Sequence, residues 1–170
     1  MSILDEIKTR CNVGDLFIVE PSKDIRAHRV AASERRTLYV SHEIHQFLES
    51  DRPLAGETQN DFNDFILNQE FDVALHLDHQ FCFMARLDAP SEEVWEIRVY
   101  DTEPQLRFFG RFAKRNIFVA LIGPVPRWKM IGRYERIKRQ CIAEWRALFS
   151  FNPIIKGDDI HAYLSNVYLV

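Results

Sequence analysis

Three arginines and a glutamate recur at strand spacing between Val94 and Arg127, and they are residue types that handle phosphate. In the run VWEIRVYDTEPQLRFFGRFAKRNIFVALIGPVPR, Trp95, Ile97 and Val99 alternate with Glu96, Arg98 and Tyr100. Leu106, Phe108, Gly110 and Phe112 alternate in the same way with Arg107, Phe109 and Arg111. Successive strand side chains point to opposite faces, so the pattern predicts one apolar sheet face and one polar face carrying Glu96, Arg98, Arg107 and Arg111. A guanidinium is a fixed fork of donors suited to phosphate oxygens. The alternative is a solvated face with surface ion pairs to Glu96 or Asp101. Phe109, between two arginines, is the candidate for stacking on a base, whereas Trp95, Trp128 and Trp145 are expected in the core.

The elements that must position these groups follow from the same periodicities. Ile117–Ile122 is apolar on both faces, as in a strand covered on both sides, and Ala113–Asn116 makes a hairpin that carries Lys114 and Arg115 at its tip. Those two cations are placed to touch a nucleic-acid backbone without reading sequence. Ser41 is a candidate cap for a helix through Ser50, which Pro53–Gly56 breaks. Thr58 then caps a second helix with a buried stripe of Phe62, Phe65 and Ile66. Phe71–Leu87 reads as one or two strands leading into an antiparallel meander. Beyond Pro124 and Pro126, a long helix from about Trp128 to Phe149 has a stripe of Met130, Tyr134, Ile137, Cys141, Trp145 and Leu148. Its other face carries Arg133, Arg136 and Arg139. Asp15–Glu20 reads as a strand, Asp24–Arg36 as a polar, Arg-rich segment, and Asp158–Val170 as a last short helix or strand.

Charge is distributed unevenly along the 170 residues. The net value is only −3, yet residues 1–97 hold nine Lys/Arg against nineteen Asp/Glu, whereas residues 98–139 hold eleven against three. A basic block in an acidic chain implies an anionic partner, nucleic acid first, or neutralisation by the acidic segment packed beside it. Three widely spaced cysteines without CxxC spacing argue against a disulfide framework or a zinc site and point to a reducing, cytoplasmic setting. His42 and His45 share a helix, but His76 and His79 fall on opposite strand faces and no HExxH accompanies them. Neither a metal nor a cofactor is implied. No apolar run approaches a membrane span.

Val94-Trp95-Glu96-Ile97-Arg98 followed by Leu106-Arg107-Phe108-Phe109 and an Asn-Ile-Phe-Val-Ala-Leu strand resembles the RelE/ParE/HigB toxin superfamily, in particular its phage-derived HigB-like branch. The resemblance spans roughly residues 38–127. It implies an α+β fold in which two N-terminal helices pack on an antiparallel meander. One domain is expected, with residues 1–37 an N-terminal extension, 38–127 the core and 128–170 a C-terminal helical extension. In ribonuclease members, basic and acidic side chains on the concave sheet face bind mRNA on the ribosome and assist attack of the 2′-hydroxyl on the adjacent phosphate. By that resemblance Arg107 is the phosphorane-stabilising arginine, with Arg98, Glu96 and Arg111 assisting. Lys114, Arg115, Phe109, Arg127, Lys129 and Arg133 would hold the RNA. In place of the family's short Lys-Lys tail stands Pro124-Val125-Pro126-Arg127-Trp128-Lys129 and a long helix. The expected partners are RNA or ribosome-bound mRNA and an antitoxin protein. The alternative is a noncatalytic module that binds nucleic acid or protein through the basic strand and helix faces. A third reading is a structural protein whose acidic N-terminal segment masks those faces.

Overall fold

The structure, a computed structural model, describes residues 2–22, 29–77, 81–151 and 155–170. Its helices are α1 (Ile3–Val13), α2 (His42–Leu48), α3 (Pro53–Ile66), α4 (Tyr134–Leu148) and α5 (Ile160–Tyr163). Its strands are β1 (Leu16–Ile18), β2 (Thr37–Ser41), β3 (Phe71–Ala74), β4 (Met84–Arg86), β5 (Trp95–Val99), β6 (Leu106–Lys114), β7 (Ile117–Pro126) and β8 (Val167–Leu169). All eight strands join one mixed sheet in the order β1-β2-β7-β6-β5-β4-β3-β8.

The expected architecture of two N-terminal helices on an antiparallel meander is therefore incorrect. The antiparallel β5–β6–β7 meander is present, with Trp95 opposite Gly110 and Phe112 opposite Phe118. It forms only the middle of the sheet. On one side β2 pairs with β7 in parallel, Leu38 against Phe118. On the other, β3 pairs in parallel with both β4 and β8. The β2–β7 and β3–β8 pairs join segments far apart in the chain, which no local periodicity reports. β1 and β8, from the segments expected as extensions, are strands of this same sheet.

Helices cover both faces. Ile44 and Phe47 of α2, Phe62 and Phe65 of α3 and Ile160 and Tyr163 of α5 pack with Leu38, Trp95, Ile97, Phe108, Phe112 and Phe118. On the opposite face Ile3 and Ile7 of α1 and Ile137, Cys141 and Trp145 of α4 pack with Phe109, Val119 and Leu121. The strand alternation sorts these two sets, as a period of two requires.

Local chemistry explains the boundaries. α1 starts at a reciprocal Ser2–Asp5 capping box, Ser2 N donating to Asp5 Oδ2 at 2.7 Å, and stops at Gly14, whose left-handed φ of 81° favours a residue without Cβ. Pro53 does not break a helix but occupies the first turn of α3, where no N–H is needed. Thr58 is consequently interior, its hydroxyl donating to Leu54 O at 2.7 Å, and caps nothing. The long helix expected from Trp128 begins instead at Tyr134, after a 3-10 turn over Arg127–Met130. Gly110 lets β6 and β7 close in, because a Cβ there would overlap the Val119 carbonyl.

Arg36 fastens the far end of the molecule. It is buried, and its guanidinium donates to Phe65 O (3.1 Å), Gln69 O (3.0 Å), Ser165 O (2.5 Å) and Asn166 O (3.1 Å) while lying 4.5 Å over the Phe71 ring. Burial lowers its pKa to about 10. The rest of the Arg-rich segment lies partly outside the described residues.

Candidate nucleic-acid interface

The polar face of β5 and β6 is present but closed to solvent. Glu96, Arg98, Arg107 and Arg111 are each at most 5% exposed; Tyr134 and Trp145 of α4 cover the face at Phe109 and Arg111, and Leu77 and Cys82 meet Arg98. Each guanidinium has internal partners, although Arg111 Nε is buried without one among the described residues. Arg98 Nε donates to Glu96 Oε1 at 2.5 Å, Nη1 to Cys82 Sγ at 3.2 Å and Nη2 to Leu77 O at 3.2 Å. Arg107 Nη1 donates to Leu106 O at 2.9 Å, and its guanidinium sits 5.1 Å over the Tyr100 ring. Arg111 donates to the Glu92 carbonyl and faces the Trp145 ring at 5.8 Å.

Burial raises the Glu96 pKa, opposed by Arg98, Arg107 and the nearby Tyr134 hydroxyl. Burial disfavours the charged form of Arg98 as well, but the adjacent carboxylate more than reverses this and holds it above the ordinary value. Arg107 and Arg111, lacking so close a carboxylate, are lowered by burial. The arrangement is a fixed internal ion cluster. Phe109, the expected stacking residue, is fully buried there against Tyr134 of α4, with ring centroids 6.4 Å apart.

The remaining cations divide between two places. Lys114 and Arg115 are exposed at the β6–β7 hairpin tip, where Asn116 takes a φ of 62°. Arg127, Lys129 and Arg133 lie beyond the opposite end of β7, roughly 30 Å away at ~3.3 Å per strand residue. The structure thus gathers the second set and leaves the first apart.

Around the second set the surface is larger than the periodicity indicates. Arg133, Arg136 and Arg139, three residues apart, form an exposed row on α4 and its leading turn. Lys138 is instead buried against Glu92 Oε2 (2.6 Å) and Glu135 Oε1 (2.7 Å). Among the described residues, no carboxylate lies within 4.0 Å of Arg127, Lys129, Arg133, Arg136 or Arg139. The acidic N-terminal half therefore neutralises inner cations, through Glu92 and Glu96, and leaves these five facing water.

Trp128, expected in the core, is 64% exposed in their midst, and Ile131 is 85% exposed. Lys129 Nζ stands 5.2 Å from the Trp128 ring. Trp128 and Ile131 line a cleft of about 510 Å³ with Arg127 and with Glu103, Pro104 and Gln105 from the β5–β6 loop. The loop is held by Arg127 N donating to Gln105 O (2.8 Å) and Arg127 Nη1 to Gln105 Oε1 (3.2 Å). The sequence signal for this exposure is the frame around Trp128. Pro126 ends β7, and Gly132, at φ 69°, separates the turn from α4, so the helical stripe does not extend back to Trp128.

A second cleft of about 340 Å³ carries more acidic groups. Asp61, Asp72 and Asp101 line it with Phe81, Cys82, Phe83, Tyr100 and Arg98, and burial together with Asp101 and Asp64 raises Asp61 to about 7. The histidines singled out from sequence do not gather. His45 stacks on Phe17 at 4.0 Å with His42 beside it, His76 is 4.0 Å from Asp88, and His79 lies outside the described residues. Among the described residues, no three His, Cys, Asp or Glu side chains are placed to hold a metal, and no helix is long and apolar enough to cross a membrane.

No protein-family model, no curated protein and no solved structure matches the chain.

Proposed function

We propose that this protein is a noncatalytic nucleic-acid-binding module that grips the phosphate backbone, RNA being the first candidate, through the basic surface of the Arg127–Met130 turn and α4. One observation carries the reading: Arg127, Lys129, Arg133, Arg136 and Arg139 are exposed within thirteen residues, without carboxylate partners among the described residues and around an exposed tryptophan. Such a surface attracts polyanions by releasing their counterions. Cleavage by the β5–β6 face would require Arg107 to reach a phosphate, and Arg107 is only 3% exposed.

The test is binding of a fluorescein-labelled oligoribonucleotide measured by anisotropy across a salt series. If all five cations neutralise phosphates, log affinity falls with log salt with a slope of about −3.5 for a single strand. The combined Arg133→Glu, Arg136→Glu and Arg139→Glu protein is expected to lose binding while keeping its circular dichroism spectrum. Salt-independent binding, or binding unaffected by the three reversals, would overturn the reading.

A further inference from the structure

The cleft beside Trp128 narrows the class of nucleic acid. Resting on the reading of the basic surface as a phosphate-binding face, we propose that the occupant is a single strand, with one unpaired base seated on the Trp128 indole between the β5–β6 loop and the Arg127–Ile131 turn.

Four features support this. Trp128 and Ile131 leave large apolar surfaces in water beside cations, a combination suited to a ligand with a flat apolar face and an anionic backbone. Lys129 occupies one approach to the indole at 5.2 Å, so the ring is braced from that side. The cleft wall opposite is polar: Gln105 Oε1 is engaged by Arg127, which leaves its amide N–H groups to donate to a base edge, and Glu103 is an acceptor for an exocyclic amine. Glu103 also repels phosphate. The base therefore enters the cleft while the backbone turns outward along Arg133, Arg136 and Arg139.

The interior of a duplex cannot make this contact. Its bases present their faces only to one another, so away from the ends Trp128 has nothing to stack on unless a base is unpaired. Duplex binding would use the cations alone.

The experiment compares four labelled probes by anisotropy: a U20 oligoribonucleotide, a dT20 oligonucleotide, and 20-base-pair RNA and DNA duplexes. Each is measured with the wild-type protein, Trp128→Ala, Trp128→Phe and the triple arginine reversal, after circular dichroism confirms folding. The expected result is that the wild type favours at least one single strand over its duplex by about tenfold or more. Trp128→Ala should lose about tenfold for that strand and nothing for the duplex, and Trp128→Phe should retain most of the preference. The stronger of U20 and dT20 tells which of the two strands is preferred, and a dU20 control assigns the difference to sugar or base methyl. Equal losses on strand and duplex, no loss, or a wild-type preference for duplex would overturn the proposal. If the triple reversal still abolishes binding in those cases, the phosphate-binding reading survives without it. Failure of the wild type to bind any probe overturns both and leaves the Trp128 groove to a protein partner.

Discussion

Arg98 Nε and Glu96 Oε1 meet at 2.5 Å on one strand face, two residues apart on β5 and both buried. A carboxylate so placed neutralises two guanidinium groups, because Arg107 also lies within its field. Removing it leaves both cations desolvated without a counter-charge. Glu96→Gln is therefore expected to cost about 3–5 kcal/mol in urea-monitored unfolding, and Glu96→Leu combined with Arg98→Met to recover part of that loss. A neutral Glu96→Gln would show that the pair does not contribute as drawn.

The same burial separates structure from catalysis at Arg107. Arg107→Ala is expected to lower stability by ~1–3 kcal/mol through its lost carbonyl bond and its lost contact with Glu96 and Tyr100. Labelled RNA incubated with the wild type is expected to remain intact on a denaturing gel. New ends made by the wild type and absent with Arg107→Ala would instead establish cleavage by this face.

Asp61 makes stability depend on pH. Its pKa is raised from 3.8 to about 7, by burial first and then by Asp101 and Asp64. Between those values the folded state holds a proton that the unfolded chain has released, so stability falls as pH rises from about 4 to about 7 and this contribution is flat above. Asp61→Asn should remove that slope from a series of urea midpoints. An unchanged slope would assign it to other groups.

Arg36 joins the C-terminal end of α3 to the approach of β8 through four carbonyls. Arg36→Met keeps the apolar stem over Phe71 but removes every donor. A loss of at least ~3 kcal/mol is expected by thermal or urea unfolding, since several buried acceptors lose their partner at once. A loss below ~1 kcal/mol would mean that water replaces the guanidinium there.

The parts legible in sequence were those governed by short-range pattern. Alternation placed Glu96, Arg98, Arg107 and Arg111 on one face, and the apolar run at Ile117–Ile122 indicated a strand covered on both sides. Alternation cannot say what covers a polar face, and here the arginines find internal acceptors. The stripe of Ile137, Cys141 and Trp145 was readable, but the helix it describes ends short of Trp128 because Gly132 intervenes. Trp128 was grouped with Trp95 and Trp145 as a core residue, and it alone of the three is exposed. Pro53 was misread for a related reason, since proline opens a helix as readily as it stops one. The exposed cations at Arg127, Lys129 and Arg133 were visible from composition alone; their union with the Glu103–Gln105 loop required the antiparallel pairing of Leu106 with Pro126.

The sheet order also bears on folding. β6 and β7 are joined through a two-residue turn, so their ladder can zip with little loop-closure entropy, whereas β2 reaches β7 only by spanning about eighty positions, Leu38 to Phe118. The meander is therefore expected to form before β2 docks, and φ-values near one at Phe112 with values near zero at Leu38 would be the signature of that order.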